Sequence, residues 1–158
     1  MTRVSLGVQS FIGKHLETLG REHSPMQAIT SVHLLREASN LEVSIDLIFS
    51  VPSQSLLDWE DTLTQALALQ PDHLSAYNLT YEEDTAFFEK FQTGAFQDDS
   101  NLNAEMFSLG EELLSSAGYE HYETSNYALP GRRSRHNEGY WIGNDYLGLG
   151  PSAVSTLN

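Results

Sequence analysis

The run VSIDLIFSV at residues 43–51 constrains the fold most. It is short, rich in β-branched and aliphatic residues, and stopped by Pro52. A run of this kind reads as a strand buried within a sheet. Directly after it, Leu56, Trp59, Leu63, Ala66 and Leu67 fall on one helical stripe of residues 55–69. Ser55 suits the N-cap of that helix, and Asp58 and Glu60 suit its positive end. A buried strand followed at once by an amphipathic helix is half of a βαβ unit.

The pattern recurs along the chain. Residues 4–9 (VSLGVQ) alternate apolar with small or polar residues and predict a strand. Ser24 followed by Pro25 marks a helix start, and a helical period runs from there to about Ser39. Residues 73–81 predict a third strand, and 84–92 a short helix ended near Gly94. Residues 100–117 predict a long helix with Met106, Leu109, Leu113 and Leu114 on its apolar side and Gly118 as C-cap. Residues 119–127 and 146–154 complete the set as fourth and fifth strands. The alternation predicts an α/β fold whose sheet is mostly parallel. No repeat or linker divides it, so residues 1–158 read as one domain.

Charge limits the partners. Eight basic side chains face 22 acidic ones, a net charge of −14. Non-specific binding to nucleic acid or to an anionic membrane is disfavoured by like sign. Arg132, Arg133 and Arg135 form the one dense basic cluster. No apolar run reaches membrane-spanning length, and the composition is that expected of a cytoplasmic protein. The chain has no cysteine, which excludes disulfides and thiolate-held zinc or iron–sulfur centres within it.

Polar residues gather near the strand ends. Gln9 ends the first strand, Asp46 interrupts the most apolar one, Asn78 and Glu82 follow the third, and Asn126 lies late in the fourth. In parallel α/β folds ligands bind at the carboxyl ends of strands. Asp46 is costly to bury without a partner, so it either serves a ligand or pairs structurally.

The stretch SRHNEGYWIGNDYLGLGPSA carries two further motifs. Residues 148–153 (GLGPSA) match G-x-G-x-x-G/A, but the fingerprint needs a following helix and a later acidic residue. A tight backbone bend is the better reading. If Ser134 caps a short helix, His136 and Tyr140 share one face, and Asn137 and Trp141 the next. By spacing alone, these rings either fill a core corner or flank a histidine able to ligate haem iron.

Taken in order, RVSLGVQSF, LGREHS, DLIFSVPSQS, DHLSAYNLT, AGYEHYETSNYALPG, SRHNEGYW and DYLGLGPSAVS resemble one family over nearly the whole chain. That family is the radical S-adenosylmethionine (SAM) oxygen-independent coproporphyrinogen III oxidases together with their HemW-type relatives, the haem chaperones. The resemblance implies a partial (β/α) barrel with cofactor and substrate at the strand carboxyl ends. It aligns Gln9, Arg21 and Asp46 with residues that hold SAM. Arg21 would take the carboxylate of SAM, and Gln9 and Asp46 its amine and hydroxyl groups. The pattern His136, Asn137, Tyr140 and Trp141 is similar to the HemW-type signature, in which the histidine is implicated in haem binding through its iron.

Two departures stand out. Ser50-Val51-Pro52 replaces the family's glycine-leucine-proline after the aspartate strand. The family's three-cysteine motif, which holds a [4Fe–4S] cluster, has no counterpart here. The expectation is a piece of a radical SAM barrel lacking the N-terminal cluster segment and the C-terminal domain. By itself it should be catalytically inert, retaining haem or porphyrin as ligand and a haem-accepting protein as partner. Uncovered barrel edges would favour a homodimer. The rivals are a coproporphyrinogen III oxidase that forms protoporphyrinogen IX, and a degenerate barrel without catalysis.

Overall fold

The computed structural model describes residues 2–38 and 40–157. In chain order it contains β1 (Arg3–Gln9), α1 (Gly13–Thr18), α2 (Pro25–Ala38), β2 (Glu42–Phe49), α3 (Leu56–Ala68) and β3 (His73–Asn78). There follow α4 (Ala86–Gln92), α5 (Ser100–Ser116), β4 (Glu120–His121), β5 (Asn126–Ala128) and α6 (Arg135–Trp141). Ser39, where the helical period was expected to run out, lies outside the described residues.

The strands form one mixed sheet of order β1-β2-β3-β5-β4. β1, β2 and β3 pair in parallel, as the strand–helix alternation requires. Beyond β3 the pairing turns antiparallel, so a mostly parallel sheet does not hold across all five strands. The expected fourth strand over 119–127 is instead the hairpin β4–β5. Glu123, Thr124 and Ser125 make its turn, and the Glu123 carboxylate accepts from the Ser125 backbone N–H and the Asn126 side-chain amide. Among the described residues the expected fifth strand reduces to a single bridge between Tyr146 and Thr156. The short helix α1 had no sequence signal, because Ile12 precedes it without a side-chain cap.

Caps fall where the sequence puts them. Ser55 and Asp58 form a reciprocal capping box on α3, with Ser55 Oγ accepting from the Asp58 N–H at 3.1 Å. Ser24 and Gln27 do the same for α2. Gly118, after α5, has φ of 88°, the left-handed conformation of a helix stop.

One face of the sheet carries the core. Val43, Ile45, Leu47 and Phe49 alternate inward from β2, Leu74 and Ala76 from β3. They meet Ala28 and Val32 of α2, Trp59, Leu63 and Ala66 of α3, and Met106 and Leu114 of α5. Trp59 is fully buried and its indole N–H donates to the Met106 carbonyl at 2.9 Å. Burying each large aliphatic side chain here contributes roughly 1.5–3 kcal/mol. Because strand side chains alternate, the intervening residues must face the other way.

Candidate functional site

The second face is polar. Register aligns Gly7, Asp46, Ser75 and Asn126 in one row across four strands. The neighbouring row is Ser5, Ser44, His73 and Ala128. These side chains satisfy one another. Ser5 Oγ donates to Asp46 Oδ2 at 2.8 Å, and Ser75 Oγ donates to Asn126 Oδ1 at 2.9 Å. Asp46 therefore has a hydroxyl partner, and it also borders open space.

His73 organises the middle of this face. It is buried, its Nδ1 lies 2.8 Å from Ser44 Oγ, and its Nε2 lies 2.7 Å from Tyr122 Oη. Burial, reinforced by the Arg3 charge, pulls its pKa down to about 4, so the ring is neutral at neutral pH. Tyr122 Oη in turn accepts from the Ser134 N–H at 3.2 Å. The Tyr122 ring also meets Trp141, and the Arg133 guanidinium lies over it. Through these contacts the sheet holds α6, the element that carries His136.

Ser134 caps α6 by accepting from the Asn137 N–H at 3.4 Å. None of the α6 residues is buried; Tyr140 and Trp141 are 44% and 51% exposed. Among the described residues this cluster fills no core corner. His136 is exposed, with the edge of its ring against Tyr140, which in turn meets Tyr146 edge-on. A histidine among uncovered rings is open to a flat aromatic ligand.

Three spaces adjoin one another on this face. A cleft of about 590 Å³ is lined by Gln9, Asp46, Ile48, Tyr77, Asn78 and Ser125. A cavity of about 310 Å³ between sheet and α6 joins Asp46, His73 and Tyr77 to His136 and Asn137. Another of about 290 Å³ sets Tyr77, Ser125 and Asn126 against Asn137, Tyr140 and Trp141. Asp46 and Tyr77 border both of the first two, so the Gln9–Asp46 and His136–Trp141 groups share one continuous face. Arg21 is exposed after α1 and lines none of the three.

Backbone geometry supports the cleft. A bulge between Gly7 and Gln9 and a left-handed Gln9 (φ 65°) re-aim the Gln9 side chain. A Cβ at Gly7 would sit 2.7 Å from Gln9 Nε2, so glycine there leaves room for it. Residues 148–153 bring backbone onto backbone: a Cβ at Gly148 would run into the Val154 carbonyl. No helix follows, which makes this stretch a bend.

The basic cluster is largely neutralised. Arg132 pairs with Glu42 at 2.6 Å and Arg133 with Glu120 at 3.1 Å. Among the described residues no three His, Asp or Glu side chains gather to hold a metal ion, and no helix is long and apolar enough to cross a membrane.

Comparison with known proteins matches this architecture. The haem chaperone HemW of Escherichia coli K12 is 40% identical over 153 residues, covering 97% of this chain and 40% of that protein. Over nearly its whole length the chain is thus similar to HemW-type radical SAM proteins. The mitochondrial radical S-adenosyl methionine domain-containing protein 1 of zebrafish (Danio rerio) is 37% identical, over 97% of this chain and 35% of that protein. Among solved structures, coproporphyrinogen III oxidase from Escherichia coli, a radical SAM enzyme, superposes with a TM-score of 0.81 at 22% identity. That match spans 99% of this chain and 39% of the oxidase, and it speaks for the fold. No protein-family model matches the chain. The chain spans about two-fifths of the length of the curated relatives it matches.

Sequence reasoning did not single out His73, Tyr122, Ser44 or Ser75. Their signal was available in part in the alternation itself: Glu42, Ser44 and Asp46 of β2, and His73 and Ser75 of β3, are the polar residues between core positions.

Proposed function

We propose that this chain is the haem-handling part of a HemW-like protein, with His136 as ligand to haem iron and Asn137, Tyr140 and Trp141 as its walls. The observation that carries the reading is the exposure of His136 beside uncovered aromatic rings, on the face that Asp46 and Gln9 share. Haem would be passed on to an accepting protein. The five-stranded sheet is then a portion of a (β/α) barrel in a single domain, and its polar face is the barrel interior.

SAM fits the same reading. Gln9 and Asp46 line the 590 Å³ cleft together and offer an amide and a carboxylate to hydroxyl and amine groups. Arg21, outside the cleft in this conformation, would reach the carboxylate of SAM by movement of its exposed side chain. When bound, SAM supplies radical chemistry only with a reducing cluster. A [4Fe–4S] cluster does not fit the residues present, because the chain has no cysteine to hold it. Self-association through the free edge of β1 belongs to the same reading.

Haem titration of the chain and of His136→Ala tests the proposal. Loss of the Soret shift in the variant is expected. An unchanged spectrum removes His136 as ligand.

A further inference from the structure

His136 lines a further space, of about 280 Å³, on the far side of the Ser134 cap. Its other walls include Arg3, Arg133, Arg135 and Glu42. In a chain of net charge −14 this is a local excess of cations. The individual partners decide which of them are available. Glu42 is already held twice, by Arg3 at 2.7 Å and by Arg132 at 2.6 Å. Arg133 is held by Glu120 and Glu138 and lies over Tyr122.

Two donors are left over. Arg3 uses Nε and Nη2 on Glu42 and on backbone carbonyls, while its Nη1 is buried with no hydrogen-bond partner. An unsatisfied guanidinium nitrogen out of water is costly, and a ligand oxygen would relieve it. Arg135 is exposed and forms no ion pair among the described residues. Arg3 and His136 both line the 280 Å³ space and the 310 Å³ cavity that continues onto the sheet face. A ligand bound over the sheet face could thus extend a side arm past His136 to both arginines.

We propose that Arg3 and Arg135 form a carboxylate-anchoring subsite beside His136, selecting tetrapyrroles that carry free carboxylate arms. The inference deepens the haem reading of His136 and rests on it for the identity of the ligand. Forked guanidinium donors match carboxylates in shape and charge. They would also offset the repulsion between an anionic ligand and this acidic chain.

The test uses ferric haem and its propionate dimethyl ester, titrated into the wild-type chain, Arg135→Gln, Arg3→Lys and His136→Ala. Arg135 touches little, so its variant should fold. Wild type should prefer the free acid by roughly tenfold, the effect of one charge-assisted bond at a partly exposed site. Arg135→Gln should erase most of that preference and leave the Soret position where it was. Arg3→Lys should reduce it, because the lysine keeps the charge but not the spare donor. Equal affinity of wild type for acid and ester overturns the subsite, as does a full preference retained in Arg135→Gln. If His136→Ala alone leaves the spectrum unchanged while Arg135 still governs the preference, the subsite stands and the iron-ligand reading falls. Absence of haem binding to wild type overturns both.

Discussion

Replacing Ser50 by glycine should stabilise the chain. Ser50 follows β2 with φ of 62°, in the left-handed region. An L-residue there costs roughly 1–2 kcal/mol that glycine does not. Its hydroxyl oxygen is also buried without a hydrogen-bond partner, a further cost of about 1 kcal/mol or more. Glycine gives back roughly 0.5–1 kcal/mol through the greater freedom of the unfolded chain. The net gain is about 1–2 kcal/mol, or a rise of roughly 3–6 °C in Tm for a domain of this size. Two controls separate the causes. Ser50→Ala removes the hydroxyl and keeps the backbone strain, so it should gain less. Ser53→Gly relieves a φ of 65° at an exposed serine, so it should gain by the backbone effect alone. Thermal melts followed by circular dichroism at neutral pH measure all three. A Ser50→Gly protein that melts at or below wild type refutes the reasoning.

Other consequences follow from the polar face. His73 takes a proton only near pH 4 when folded, against about 6.5 when unfolded, so the unfolded state binds the proton first. Stability should be complete above pH 6.5 and fall by roughly 2–4 kcal/mol as pH drops from 6.5 to 4. Buried His15, also shifted downward chiefly by burial, adds to the loss in the same direction. Urea midpoints across this range should decline, and His73→Gln should flatten the slope; an unchanged slope would contradict the burial argument. Tyr122→Phe keeps the ring against Trp141 but removes the link between His73 and the Ser134 N–H. It should cost about 1 kcal/mol and speed amide hydrogen exchange in residues 135–141. Exchange equal to wild type there would show that α6 is held by something else.

Much of the core was legible along the chain. The 3.6-residue stripe of α3 and its Ser55 cap are local features, and a strand as apolar as β2 must be buried whatever its neighbours. The parallel order of β1, β2 and β3 also follows, since helices separate them. The hairpin β4–β5 did not, because Tyr122 and Tyr127 carry strong strand propensity through a turn set by Glu123 hydrogen bonds. The last predicted strand failed for a related reason. Residues 146–154 are apolar, yet Leu147, Leu149 and Val154 find no partner surface among the described residues and remain exposed.

The candidate site divides the same way. Sequence alone named Gln9, Asp46 and the His136–Trp141 cluster, because strand-end position, a charge inside an apolar run and helical spacing are properties of one chain segment. It could not say that the cluster stays out of the core, or that His73 and Tyr122 hold it against the sheet. It could not pick out Arg3 Nη1 as a spare donor either. Those facts depend on register between strands far apart in the chain and on which buried groups find partners. Local pattern determines which face of each element is apolar; only tertiary packing decides what stands opposite the polar face.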